Sequence, residues 1–136
     1  MTTELFWLTL TAILAASLWI PFVVGVNMVP EIEGEPDYFV VPPDPLKLPP
    51  WIARSYRAHQ NLLEQLMPFA AIVLIGHALG VSNGITAWCA TLFFWLRLAH
   101  AIGMITAWAR MPWRPLIFTA GWVVTMVYAW QVLLRA

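Results

Sequence analysis

Apolar residues in this chain run in four long blocks separated by polar or proline-rich punctuation. The first extends from about 5 to 26 and carries no charge. The others cover about 51–79, 85–108 and 116–134. A helix of roughly 20 apolar residues crosses the ~30 Å hydrocarbon core of a bilayer, so each block predicts one membrane-spanning helix. Pro21 is expected to bend the first helix near its end and Pro68 to kink the second, because proline removes an intrahelical hydrogen bond. Gly80-Val81-Ser82-Asn83-Gly84 reads as a tight turn, with Ser82 or Asn83 available to cap the third helix. A second turn is predicted around Arg110–Pro115. The fold class that follows is all-α: one domain, an integral membrane four-helix bundle.

Composition supports that class. The chain has 136 residues, 61% of them hydrophobic and only 10% charged, with a mean hydropathy of +0.74. A soluble domain carries roughly 25% charged residues. Nine Trp suit a protein that anchors at bilayer interfaces. The formal net charge is zero and there is no basic run, which excludes nucleic acid as an expected partner. The single cysteine, Cys89, reads as a packing residue. His59, His77 and His100 lack metal-ligand spacing, and no phosphate-binding glycine loop or Ser-His-acid order stands out. The first block is preceded by Thr2, Thr3 and Glu4 instead of basic residues, so it is expected to be a retained membrane helix and not a cleaved signal.

Residues 28–50 differ from the rest. Five carboxylates (Glu31, Glu33, Glu35, Asp37, Asp44) and seven prolines fall there, a composition that favours an extended, solvent-facing linker, with a docking or lid role as the alternative. Lys47, Arg54 and Arg57 flank this connection, and Arg110 and Arg114 lie in the turn between the third and fourth blocks. The positive-inside rule then places both basic connections in the cytoplasm and both termini outside it.

Candidate chemistry sits where polar groups meet the spans. Arg54, Arg57, Asn61 and Glu64 follow i, i+3, i+7, i+10 and share one stripe of the second helix, with Gln60 beside it and His59 turned away. Arg97 and His100 share a face of the third. Arginine keeps its proton, and Glu64 is the one carboxylate inside the spans as drawn, so a Glu64–Arg97 pair is expected across the two helices or across a subunit boundary. Two readings compete. In one, that pair is an internal tie that sets helix register. In the other, the surplus cations Arg54, Arg57 and Arg114 at one mouth attract an anionic ligand or lipid headgroups.

The run Arg57-Ala-His59-Gln60-Asn61-Leu-Leu-Glu64, followed by Pro68-Phe69, resembles the signature of the MAPEG family (membrane-associated proteins in eicosanoid and glutathione metabolism). Arg97-Leu-Ala-His100 and the basic turn with Pro112 and Arg114 are further points of likeness, and together they cover essentially the whole chain. The resemblance implies a homotrimer in the bilayer, here in a bacterial inner membrane. Glutathione would be bound between neighbouring subunits near the cytoplasmic face, and a lipophilic small molecule would be the co-substrate. Carried onto this sequence, Arg57, Asn61, Glu64, Arg97 and His100 are the implied glutathione-binding residues and Arg114 the implied catalytic one, set against the thiolate of a transferase or peroxidase. Gln60 departs from the arginine that eicosanoid-synthesising members have before the Asn, and Met104 replaces a tyrosine found in many members. The rival expectation is a non-catalytic accessory or structural subunit of a larger membrane complex.

Overall fold

The computed structural model describes residues 1–29, 41, 43–44 and 46–135; the expected docking or lid role of the proline-rich connection lies mostly outside the described residues. Among the described residues five helices form: α1 (Thr3–Ser17), α2 (Ile20–Met28), α3 (Pro50–Ala78), α4 (Gly84–Ile105) and α5 (Trp113–Leu133). α1 and α2 together make one span, so among the described residues four segments are long and apolar enough to cross a membrane. The protein is an all-helical integral membrane protein.

Local sequence sets the element boundaries. The first span breaks at Leu18–Trp19, and Pro21 sits in the first turn of α2, where its missing N–H has no intrahelical partner to lose. The expected bend is thus a short interruption just before the proline. α3 continues through Pro68 as one helix. Asn83 caps α4: its side chain accepts from the Ile85 and Thr86 amides at 2.9 and 3.1 Å, and Thr86 Oγ1 accepts from the Asn83 amide at 2.9 Å. α4 ends at Ile105, three residues short of the expected limit, and Ala107 beyond it takes a left-handed φ of 63°. α5 begins at Trp113 and not near 116, because Pro115 is accommodated in its first turn.

α4 is the centre of the bundle and contacts α1, α3 and α5. Its membrane segment is buried over 44% of its residues, against 22% in each of the other spans. The upper core is a ring stack: Phe69 of α3 lies parallel to Phe93 of α4 with centroids 3.8 Å apart, and Tyr128 of α5 meets Phe69 edge-on at 5.9 Å. Cys89 packs in this cluster, as expected. A second cluster joins Ala15, Leu18, Ala58, Leu62, Ala101 and Met104, mostly small or flexible residues that let helices approach closely where lipid provides no hydrophobic drive.

Three buried hydroxyls are satisfied within their own helices. Thr11, Ser55 and Thr125 donate to the carbonyls of Trp7, Trp51 and Gly121 at 2.7–2.9 Å, so they add no unpaired polar groups to the hydrocarbon layer. Eight of the nine tryptophans are exposed, as suits residues that anchor at bilayer interfaces.

The stacked ring pair holds α3 to α4. Phe69→Ala removes ~100 Å³ of packed volume along with the burial of the ring, and the lost transfer free energy and the residual cavity together are expected to destabilise by about 3–5 kcal/mol. Thermal unfolding of the detergent-solubilised protein should show a clearly lowered midpoint, whereas Leu133→Ala on the exposed face should leave it unchanged.

Candidate functional site

A cavity of about 610 Å³ opens at the end of the bundle where α3 begins, α4 ends and α5 begins. Arg54 and Asn61 reach it from α3, His100 and Met104 from α4, Arg110 from the following turn, and Arg114 and Phe118 from α5. Three guanidinium groups therefore border one space, and no carboxylate is among its described lining residues.

Each element positions its side chains for a local reason. Arg54 Nε donates to the Ile105 carbonyl at 3.2 Å, satisfying a C-terminal carbonyl of α4 with a cation, the favourable sign for that end of a helix. Asn61 is fixed by two donations from Nδ2, to the Arg57 carbonyl at 2.8 Å and to Met104 Sδ at 3.7 Å. Its Oδ1 remains an acceptor. Ala107, in its left-handed conformation, also lines the cavity; such a backbone costs a non-glycine residue roughly 1–2 kcal/mol.

Behind the cavity, Arg97 is sealed at 1% exposure. Its Nη2 donates to the Ile117 carbonyl at 2.9 Å, and its Cζ lies 5.7 Å from the ring centroids of both Phe93 and Phe118. Nε and Nη1 have no hydrogen-bond partner among the described residues. The guanidinium lies so close to Gly121 that a Cβ there would collide with it.

The expected Glu64–Arg97 pair does not form within the subunit. Glu64 is exposed on the outer surface of α3, and Arg97 points between α4 and α5. The reason is azimuthal. At about 100° per residue, Arg54 and Asn61 lie within ~20° of each other, while Arg57 and Glu64 are ~60–80° further round. The first edge of the stripe faces α4 and the second faces outward. Of the implied site residues, the cavity gathers Asn61, His100 and Arg114. It leaves Arg57 and Glu64 on the outer surface and Arg97 buried behind its wall. The sequence reading passed over Arg110, a turn residue outside both motifs. It treated Arg54 only as a spare cation, although the stripe geometry carries the signal.

The comparisons with known proteins fit this architecture. The MAPEG family profile matches residues 5–134, nearly the full length. The chain belongs to the MAPEG family. Searches of curated proteins and of solved structures give no significant match. Membership fixes the broad class, a membrane protein of the family named for eicosanoid and glutathione metabolism, and the four membrane-crossing segments agree with it.

Arg97 offers a sharp test of how this end is built. A buried charge with unmet donors gains little from its surroundings, and apolar replacement of such groups is often neutral or stabilising. Arg97→Met, similar in length and uncharged, is expected to unfold at a midpoint no lower than that of the parent. A midpoint several degrees lower would instead reveal that something outside the subunit satisfies the guanidinium.

Proposed function

We infer that the arginine-bordered cavity binds glutathione and that the protein is a glutathione-dependent transferase or peroxidase acting on a lipophilic substrate that arrives through the bilayer. The observation that supports this reading is the charge imbalance: Arg54, Arg110 and Arg114 converge on one space without a carboxylate among its described lining residues. Glutathione carries two carboxylates, which guanidinium forks bind in bidentate fashion. Its ammonium and amide groups need acceptors, and Asn61 Oδ1 is one. The volume falls in the usual range for small-molecule sites, roughly 300–1,000 Å³, and Phe118, Met104 and Met111 supply apolar walls for a lipophilic partner.

Glutathione supplies a sulfur nucleophile when bound. A guanidinium beside a thiol favours its thiolate form, and Arg114 in the first turn of α5 is the residue assigned that role. Met104 stands where many family members have a tyrosine, and its thioether accepts from Asn61 where a hydroxyl would donate. The thiolate contact therefore falls to arginine alone.

The assembly belongs to the same reading. An exposed carboxylate in mid-span costs several kcal/mol in lipid, and Glu64 is exposed on the subunit surface together with Arg57. A homotrimer that seats this edge of α3 against a neighbouring subunit gives both charges partners and closes the cavity between copies. The basic end then faces the cytoplasm of a bacterial inner-membrane protein, with both termini on the far side. Glu64→Gln is expected to shift the detergent-solubilised protein from trimer toward monomer in light scattering.

Equilibrium dialysis of the solubilised protein tests the ligand. Saturable glutathione binding is expected with Kd about 1 mM or tighter, equivalent to about 4 kcal/mol. Arg114→Ala and Asn61→Ala should each weaken it by about tenfold, the loss of one charge-assisted or buried hydrogen bond. Absence of saturable binding, together with co-purification of a stable membrane partner, would favour the accessory-subunit reading.

A further inference from the structure

The opposite end of the bundle holds a second cavity, of about 200 Å³, lined by Glu4, His77, Ser82 and Tyr128 among others. Glu4 lies one residue before the apolar run and was passed over in the sequence for that reason. In the fold it is 3% exposed, the one carboxylate buried among the described residues. Its Oε1 accepts from Ser82 Oγ at 3.0 Å and from Thr86 Oγ1 at 2.5 Å. Its Oε2 is buried with no hydrogen-bond partner among the described residues. Half of the carboxylate is therefore built into a donor network and the other half is unmet.

The surroundings favour an ionised Glu4 with a cation nearby. Glu4 is in the first turn of α1, and Thr86 is in the first turn of α4; both helix starts carry positive partial charge that stabilises the anion. His77 and Gly80 border the cavity from the C-terminal end of α3, where the partial charge is negative and a cation is favoured. No arginine or lysine is among its described lining residues.

We propose that this cavity binds a small monovalent cation, held by the Glu4 carboxylate together with the hydroxyls of Ser82 and Tyr128. Charge counting selects the valence. A single negative group against neutral hydroxyls is neutralised by one positive charge, and a divalent ion would leave an uncompensated charge at low dielectric. Hard oxygen donors select an alkali-metal ion or an ammonium group over a transition metal. A free ion and the ammonium of an amine-bearing lipid headgroup share that chemistry. The site needs nothing from the arginine end, so it stands whether or not glutathione binds there.

The test is thermal unfolding of the full-length solubilised protein at fixed pH and ionic strength in sodium, potassium, ethanolamine or N-methylglucamine chloride. At least one of the three small cations should raise the midpoint by several degrees over the bulky N-methylglucamine, and in a saturable way. Response to sodium or potassium identifies a free metal ion, and response to ethanolamine alone identifies an ammonium headgroup. Glu4→Gln keeps the shape and removes the charge, and should abolish the response. If that variant does not fold, Ser82→Ala, at an exposed turn position, should raise the half-saturating cation concentration roughly fivefold. Equal midpoints in all four salts overturn the proposal, including the case in which pH alone moves them and a proton is the neutralising partner. A cation response undiminished in these variants overturns it as well.

Discussion

A guanidinium that cannot shed its proton is enclosed between α4 and α5, and much of the arginine end follows from accommodating it. Arg97 has one carbonyl acceptor, Ile117, and two aromatic faces, Phe93 and Phe118, at cation–π distance. In hydrocarbon, that combination offsets part of the cost of its two unmet nitrogens. The neighbouring helix must in turn present almost nothing at the contact, which Gly121 does. Phe118 is held by Arg97 on one side and borders the cavity on the other. The packing solution for one buried charge thus becomes a wall of the candidate site.

The cavity cations differ from Arg97 in kind. Arg110 and Arg114 are exposed, and Arg54 is anchored to the C-terminus of α4. They come from α3, from the turn and from α5, so their mutual repulsion is fixed by the fold and not by a single flexible segment. Three like charges kept near one another at a membrane boundary are relieved by an anion more effectively than by water alone.

The helices were legible because hydrophobic length is a strong signal, and Asn83 was legible as a cap because its chemistry is local. Pro21 marked the interruption of the first span to within a few residues. The pairing of charges was not legible. Glu64 and Arg97 are the obvious partners by charge, but their meeting depends on how far each helix is rotated, and that is set by packing elsewhere, such as the close approach of Gly121 to Arg97 and the second cluster, which joins Ala58 and Ala101. Within the polar stripe of α3, a separation of ~60–80° decides which residues face the cavity and which face outward. Glu4 escaped notice because a reading based on apolar runs assigns the residue before a run to solvent, whereas a helix that starts two residues earlier, at Thr3, carries it into the core.

Side chains, not backbone, must give the arginine end its preference for anions. A helix N-terminus often binds anions through free amides, and α5 begins at this cavity. Of the early positions of α5 that line the cavity, Arg114 has its amide donating to the Arg110 carbonyl at 3.1 Å and Pro115 has none to offer, while the Leu116 amide donates to the Pro112 carbonyl at 3.2 Å. The attraction therefore rests on guanidinium groups, whose planar forks match carboxylates better than they match a spherical ion. Because two of the three are exposed surface side chains, they lose conformational freedom when they close on a ligand. An anion held this way binds modestly unless further contacts come from a surface that this subunit alone does not supply, and the outward-facing Arg57 marks where such a surface would meet it.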